Sequence, residues 1–420
     1  MPEIEYEKGK LKVENVDVMT IAKAVGTPFY CYSSGLMLRR YAALKDAFSA
    51  HNATIYYAVK ANSNISVIKT LADAGAGADV VSLGELQRCM LAGVPASKIV
   101  FAGVGKTGEE ILEAIKVGIF QINVESESEL RLINDIAKSI DTVANIGLRV
   151  NPDVDAKTHE KITTGRRENK FGIDLSQAPN FFSIASSLPH VSLRSLSVHI
   201  GSQILDLLPF EKAYQKLTEM ACHIRGLGYE IDHLDLGGGL GIPYSGELVL
   251  DLTSYEKIVR NTVATLGCRL SFEPGRYLVG ESGILVTKVL HVKEGSNKSF
   301  IIVDGAMNDL IRPTLYDGYH EVIPVMQSRL GAEQAVCDIV GPICESGDYL
   351  AKDRMLPIFE QNDLIAVKCV GAYGAVMSSN YNSRPLTPEV LVRGEDFSLV
   401  KKRQTFEEFI RQEQMPEWLK

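Results

Sequence analysis

The sequence is short of several things, and each shortage closes a route. It has no surplus of positive charge: 44 Lys and Arg stand against 52 Asp and Glu, a net charge of −8. It also has no Lys/Arg-rich block, so neither nucleic acid nor an anionic membrane surface is an expected partner. No stretch approaches the roughly 18 apolar residues of a membrane span. The start, Met1-Pro2-Glu3-Ile4-Glu5, has neither a basic segment nor an apolar one, so no signal peptide is expected. Seven cysteines are scattered along the chain and none forms a CxxC pair. That argues against a zinc site or a disulfide framework and for reduced thiols in the cytoplasm. With 45% hydrophobic and 23% charged residues the composition is that of a globular protein, not of a disordered or fibrous one. A chain of 420 residues has room for two or three domains, or for one large barrel with an addition.

A regular alternation begins at residue 54. Short apolar or β-branched runs occur at Thr54–Val59, Ala78–Val81, Ile99–Ala102, Phe120–Val124, Asn145–Val150, Leu193–Ile200, Ile231–Leu236 and Arg269–Glu273. Between them, segments such as Ile65–Ala74, Gly84–Ala92, Gly108–Val117, Ser128–Ser139, Pro209–Leu227 and Ser254–Leu266 carry the three-and-four spacing of helices. Eight strands with intervening helices over about 220 residues match a (β/α)8 TIM-type barrel; an open doubly wound sheet has the same rhythm. The stretch 151–190 is long for a connection and holds the polar run Lys157–Asn169, expected to be a loop. After Glu273 the helices stop. Gly283–Val292, Phe300–Asp304, Gln334–Ile339 and Leu364–Val370 read as strands of a β-rich C-terminal domain, which the early strand at Phe29 is expected to join. A helix is expected at Phe406–Gln414.

Two glycine-rich segments are decoys. Gly103-Val104-Gly105-Lys106-Thr107 resembles a Walker loop but has Val100 where its first glycine belongs. Gly237-Gly238-Gly239-Leu240-Gly241 follows a strand, but both dinucleotide registers fail at Ile242 and Tyr244. What remains is either a tight turn or a strand-end cluster of N–H groups suited to a phosphate. Lys60 ends the first run, where loss of solvation would make its amine nucleophilic toward carbonyls. Asp79 lies in the second run, Arg149 ends the fifth and His199 ends the sixth. Glu273 and Arg276 flank Pro274-Gly275 after the eighth. Each has an ordinary structural explanation alone. Together they occupy the C-terminal strand ends, where barrel enzymes gather their chemistry. A reactive lysine, a phosphate cradle and a carboxylate on that face point to pyridoxal 5′-phosphate.

Six segments carry a specific resemblance. They are Tyr57-Ala58-Val59-Lys60-Ala61-Asn62, His199-Ile200-Gly201-Ser202-Gln203, Gly237-Gly238-Gly239, Glu273-Pro274-Gly275-Arg276, Cys344-Glu345-Ser346-Gly347-Asp348 and Gly371-Ala372-Tyr373-Gly374. With Asn308–Pro313 and Asn380–Pro385, they resemble the diaminopimelate decarboxylase family, a branch of the fold-type III, alanine-racemase-like pyridoxal-phosphate enzymes. The likeness runs from about Pro28 to about Arg393. Small departures sit at Leu83, at Gly305-Ala306 and at Tyr277, and none removes a candidate group.

The resemblance implies a barrel over 33–276, and a β-rich domain from 1–32 and 277–420 that completes the active site across an obligate homodimer. It implies decarboxylation of meso-2,6-diaminopimelate to L-lysine and CO2, the last step of lysine biosynthesis. Lys60 would carry the cofactor, His199 stack on its ring, and Glu273 pair with its ring nitrogen. Ser202, Gly238, Gly239, Gly275, Arg276 and Tyr373 would hold the phosphate, with Asp79 and Arg149 supporting. Arg276, Arg312 and Tyr316 would bind the distal carboxylate and Glu345 the distal ammonium, with Tyr373 also near the substrate. Cys344, like Glu345, would come from the second subunit and return a proton. Related decarboxylases of ornithine, arginine, lysine or carboxynorspermidine are the nearest alternatives, and a non-catalytic homologue is a further one.

Overall fold

The computed structural model describes residues 3–156, 170–295 and 298–419. The expected loop Lys157–Asn169 lies outside them. The chain divides into two compact units, Met37–Val279 and a second made of Met1–Leu36 with Gly280–Lys420.

The first unit is a closed parallel barrel, and the open-sheet alternative falls. Its strands are β1 (Ala53–Ala58), β2 (Gly77–Val80), β3 (Ile99–Phe101), β4 (Gln121–Val124), β5 (Ala144–Asn151), β6 (Val191–Ser197), β7 (His233–Asp235) and β8 (Arg269–Phe272). Each pairs with the next, and β8 closes the ring on β1. The helices α1 (Ile65–Asp73), α2 (Leu83–Leu91), α3 (Gly108–Val117), α4 (Glu127–Ser139), α5 (Ala178–Ser186), α6 (Leu208–Gly226), α7 (Leu252–Asn261) and α8 (Arg276–Val279) follow the strands in turn. The helices bury the outer face of the strands and ring closure buries the inner face, which is why the strands read as apolar runs rather than as alternating ones.

The loops above the strands end on polar caps. Ser82, Thr107 and Ser126 each accept the backbone N–H three residues on, from Glu85, Glu110 and Glu129. Asn64 and Asp251 do the same two residues on. Each such cap contributes about 1 kcal/mol and sets where its helix starts. Beneath, Phe48, Phe210, Tyr214, Tyr255 and Phe272 form a packed aromatic group, with Phe48 and Phe272 centroids 4.3 Å apart. Burying each ring stabilises the barrel by roughly 2–3 kcal/mol.

The barrel interior is less apolar than the strand pattern suggests. Gln121, Asn123, Ser195, Ser197, His233, Asp235 and Ser271 are all buried. Buried polar atoms must be hydrogen-bonded to one another, and most of these are. Gly147 of β5 makes the room: a Cβ there would overlap the Gln121 amide and sit 2.8 Å from Asn123 Oδ1.

Two strand ends differ from expectation. Lys60 lies in a short 3-10 turn, Val59–Ala61, just beyond β1. His199 lies on a loop because β6 stops pairing with β7 at Ser197.

In the second unit, one large sheet runs in the order Tyr349–Pro357, Gln334–Val340, Ser299–Val303, Gly283–Glu294, Phe29–Ser33, Glu389–Arg393, Asp396–Lys401. Leu364–Val367 pairs with Leu285–Lys288 of the central strand, and Val322–Pro324 pairs in turn with Leu364–Val367. Phe29–Ser33 joins as expected, antiparallel to Gly283–Val286 and parallel to Glu389–Val392. A three-stranded sheet and the helix Val18–Val25 precede it, adding Leu11, Val13, Val18 and Ile21 to a core with Ile284, Val286 and Val390. The C-terminal helix is shorter than expected, Phe406–Ile410. Among the described residues no helix is long and apolar enough to cross a membrane.

Candidate active site

The barrel brings the expected groups to one end. Lys60 Nζ donates to Asp79 Oδ2 at 3.2 Å, and the lysine side chain is 39% exposed. A carboxylate therefore holds the ammonium, where the sequence led us to expect desolvation. The other Asp79 oxygen is buried and receives no hydrogen bond from the described residues. His199 Nδ1 accepts the Gly238 N–H at 3.1 Å, so its ring proton sits on Nε2. Burial first, then the charges of Lys60 and Arg149, push the imidazole pKa well below its usual value and keep it neutral.

The glycines are there because nothing larger fits. A Cβ on Gly238 would overlap the Glu273 carbonyl, and one on Gly239, whose φ is +103°, would lie 2.6 Å from the Gly201 carbonyl. Glu273 follows β8, and its backbone N–H donates to the Gly237 carbonyl at 2.7 Å. Arg276, also buried, donates to Ser202 Oγ at 3.1 Å and to Tyr244 Oη at 2.6 Å. A surface pair between Glu273 and Arg276 is not formed this way: both residues are buried and Arg276 turns to Ser202 and Tyr244. Arg149 donates to Glu125 Oε1 at 3.1 Å and lies over the Phe171 ring at 4.8 Å.

Glu273 is a strongly perturbed acid. Burial, then the neighbouring carboxylates Asp235 and Asp79, drive its pKa well above the ordinary range, while Lys60 opposes them. Its Oε1 is buried and receives no amide, hydroxyl or ammonium hydrogen bond from the described residues.

Four residues of this end were not singled out from sequence: Asp235, Glu125, Glu85 and Tyr244. Asp235 ends β7 and accepts from Gly237 N at 3.0 Å, Ser197 Oγ at 2.9 Å and Asn123 Nδ2 at 3.0 Å. Glu125 also accepts from Gly103 N and Gly172 N. Glu85, raised to about 6 chiefly by burial, feels both Asp79 and Lys60. For the three carboxylates a strand-end or helix-start position was the only available signal, and many structural carboxylates share it; Tyr244 lies on a loop and carried none.

The remaining candidates belong to the second unit. Arg312 is buried at the start of the helix Arg312–Tyr316 and donates to His320 Nε2 at 2.7 Å; His320 Nδ1 is 2.8 Å from the Lys368 carbonyl. Tyr316 ends the same helix, half-buried. Cys344 and Glu345 are exposed on the segment after Gln334–Val340. Asp348 braces that segment by accepting from Met307 N and Ile343 N, and Asn382 Oδ1 accepts the Cys344 N–H at 2.9 Å. Tyr373 is half-buried with φ +56°.

A barrel with a lysine at one strand end, a glycine cradle at another and an acid with an unmet hydrogen bond at a third is the architecture of a pyridoxal-dependent decarboxylase. Residues 34–280 match the family of the pyridoxal-dependent decarboxylase pyridoxal binding domain. The relative from Zymomonas mobilis, a diaminopimelate decarboxylase, is 42% identical over 98% of this chain and 99% of its own length. That from Vibrio cholerae is 45% identical over 95% of each chain. The structure of the Helicobacter pylori enzyme, complexed with L-lysine, superposes with a TM-score of 0.91 at 41% identity, covering 94% of this chain and 98% of that one. The chain belongs to the diaminopimelate decarboxylase family.

Proposed function

We propose that this protein decarboxylates meso-2,6-diaminopimelate to L-lysine and CO2 with pyridoxal 5′-phosphate as cofactor. The observation that carries the reading is Glu273, a buried acid whose Oε1 receives no donor from the described residues. A ring nitrogen is the group that such an oxygen lacks. The close-packed glycines at 238 and 239 fit the same cofactor, since a Cβ at either position would fill the cradle. When bound, pyridoxal 5′-phosphate supplies the electron sink that loss of CO2 from an amine-bearing carbon requires.

The chain's own residues do the rest. Lys60 gives the amine that carries the cofactor and is then free to move a proton. Neutral His199, fixed by the Gly238 N–H, would pack against the cofactor. Gly238, Gly239, Gly275, Ser202, Arg276 and Tyr373 hold the phosphate, and Asp79 and Arg149 brace that end of the barrel. Glu273 holds the proton at the ring nitrogen. Arg276, Arg312, Tyr316 and Tyr373 take the distal carboxylate, with paired charged hydrogen bonds from the arginines, and Glu345 takes the distal ammonium. Cys344 returns a proton to the carbon that has lost CO2. The exposure of Cys344 and Glu345 on a braced segment supports their serving a second subunit. We read residues 33–276 as the barrel domain, and 1–32 with 277–420 as the β-rich domain of a homodimer. Seven free cysteines are in keeping with a cytoplasmic site of action.

The test is to incubate purified protein and cofactor with meso-diaminopimelate and measure CO2 and L-lysine together. L-Ornithine, L-arginine and L-lysine run in parallel, with Lys60→Ala as the blank. Equal amounts of lysine and CO2 from diaminopimelate alone are expected. Turnover of ornithine or arginine instead would remove Arg312 and Glu345 from the distal end of the substrate, and no turnover at all would overturn the reading.

A further inference from the structure

The carboxyls of Glu273 and Asp235 are within hydrogen-bond reach of each other, both buried inside the barrel. Two adjoining buried carboxylates cannot both stay ionised, so the pair keeps one proton. The donors decide which member has it. Asp235 accepts from the Asn123 amide, the Ser197 hydroxyl and the Gly237 N–H. Glu273 Oε1 accepts from no amide, hydroxyl or ammonium group among the described residues.

The donors are held in one direction. His233 Nδ1 lies 3.0 Å from Gln121 Oε1 and its Nε2 lies 2.6 Å from Ser271 Oγ. With Gln121 Oε1 so engaged, its Nε2 donates to Asn123 Oδ1 at 2.7 Å. That leaves only the Asn123 Nδ2 to face Asp235. A reversed Asn123 would set its oxygen against the carboxylate and its amide nitrogen against that of Gln121. The interior of the barrel therefore points hydrogens at Asp235.

We propose that Asp235 is a positioning residue that makes Glu273 meet the cofactor already protonated: gripped by three donors, Asp235 stays ionised and leaves the shared proton on its neighbour. This rests on the function proposed above, in which Glu273 faces the ring nitrogen. When the ring arrives, the Glu273 O–H bond breaks and the ring N–H bond forms. The electron pair stays on the Glu273 carboxylate, and the net charge of the cluster does not change. The charged or titratable groups facing Glu273 are Asp235 on β7, Asp79 on β2, Lys60 after β1 and Tyr56 on β1; those facing Asp235 are Glu273, Tyr56 and Tyr214 of α6. Lys60 is the one cation among them, and Asp79 holds it at 3.2 Å.

The first measurement needs no cofactor and no change at Asp235. Infrared spectra of cofactor-free wild type at about pH 8, far above the ordinary carboxyl range, should show the carbonyl stretch of a protonated carboxyl. Glu273→Gln should lose it, and heavy-carbon labelling of the glutamate side-chain carboxyls, but not of the aspartate ones, should shift it; a band that shifts with the aspartate label overturns the proposal. Wild type without that band overturns the proposal. The second is calorimetric titration of cofactor-free protein with pyridoxal 5′-phosphate in two buffers of different ionisation enthalpy, at a pH where the free ring nitrogen is unprotonated. In Asp235→Asn the new amide donates to Glu273, which then ionises, so binding should take up about one proton more than in wild type. In a Glu273→Gln background that difference should vanish. Equal uptake in both proteins, or a difference that survives Glu273→Gln, overturns the proposal. Wild type that neither binds the cofactor nor turns over substrate would instead sink the function proposed above, and the infrared band then decides the protonation of Glu273 by itself.

Discussion

Two polar layers share the barrel interior and are built by opposite rules. Around His233 the accounts close: both ring nitrogens, the Gln121 amide and the Ser271 hydroxyl have partners. Around Lys60 they do not: Asp79 and Glu273 each keep a buried oxygen that no donor among the described residues reaches. Leaving a buried acceptor unmet costs roughly 1–3 kcal/mol. A chain keeps such a cost where a ligand will later supply the missing partner, and removes it where polarity serves only the fold. The lower layer is thus scaffold and the upper layer is site, although the same four strands β4, β6, β7 and β8 contribute to both.

The sharpest way to break that division is at Lys60. Lys60→Ala should reduce kcat by on the order of 10³-fold or more, while stability falls only by the roughly 1–3 kcal/mol of leaving the buried Asp79 Oδ2 without its donor. CO2 release and calorimetry on one preparation check both halves. A protein that melts early yet still turns over would make Lys60 scaffold.

Acid should attack the lower layer first. Burial, and then Arg269, push the His233 pKa down to about 3. The unfolded chain binds a proton there from about pH 6.5 downward and the folded chain does not. Its contribution is therefore intact above pH 6.5 and drains away as pH falls toward 3, on the order of 5 kcal/mol in total. Denaturant melts from pH 7 to pH 4 should show that slope, and His233→Gln should flatten it. An unchanged slope would mean that other groups carry the acid sensitivity.

Gly147→Ala tests the packing of the same layer. The added methyl meets the Gln121–Asn123 pair, and we expect a loss of about 2 kcal/mol. Calorimetry measures it; a neutral result would mean that the pair can move aside. An effect of similar size, but of opposite sign, should come from the upper layer. Glu85 is raised to about 6, by burial first, against the opposing Val81 N–H. The folded chain keeps this proton between pH 4.5 and 6, where the unfolded chain has lost it, so that stabilisation is present below pH 4.5 and lost as pH rises through 6. Glu85→Gln, whose amide oxygen can still accept from Val81, should be more stable than wild type by about 2 kcal/mol at pH 7 and equal to it near pH 4. Equal stability at both would show that solvent reaches Glu85.

The rhythm of apolar runs and capped helices was legible because it is local: a strand buried on both faces must be apolar, and a helix must start on a cap. For the same reason Lys60, His199, the glycines and Glu273 could be placed at strand ends. Several strands of the second unit were not legible. Tyr349–Pro357 carries Lys352, Asp353 and Arg354 in its middle, with exposed positions and a positive φ at Asp353, and reads as a loop. Pairing with Gln334–Val340 makes it a strand. Glu389–Arg393 and Asp396–Lys401 depend likewise on Phe29–Ser33, some 360 residues away in the chain.

Sequence by itself determined the barrel, the cofactor class and the family, because these rest on short motifs and a local period. Only the tertiary structure decided what Asp235 does. In sequence it is one residue in an apolar strand; its partners Asn123, Ser197 and Glu273 come from three other strands. Ring closure brings them together out of water, where the number of donors at each carboxyl decides which one keeps a proton.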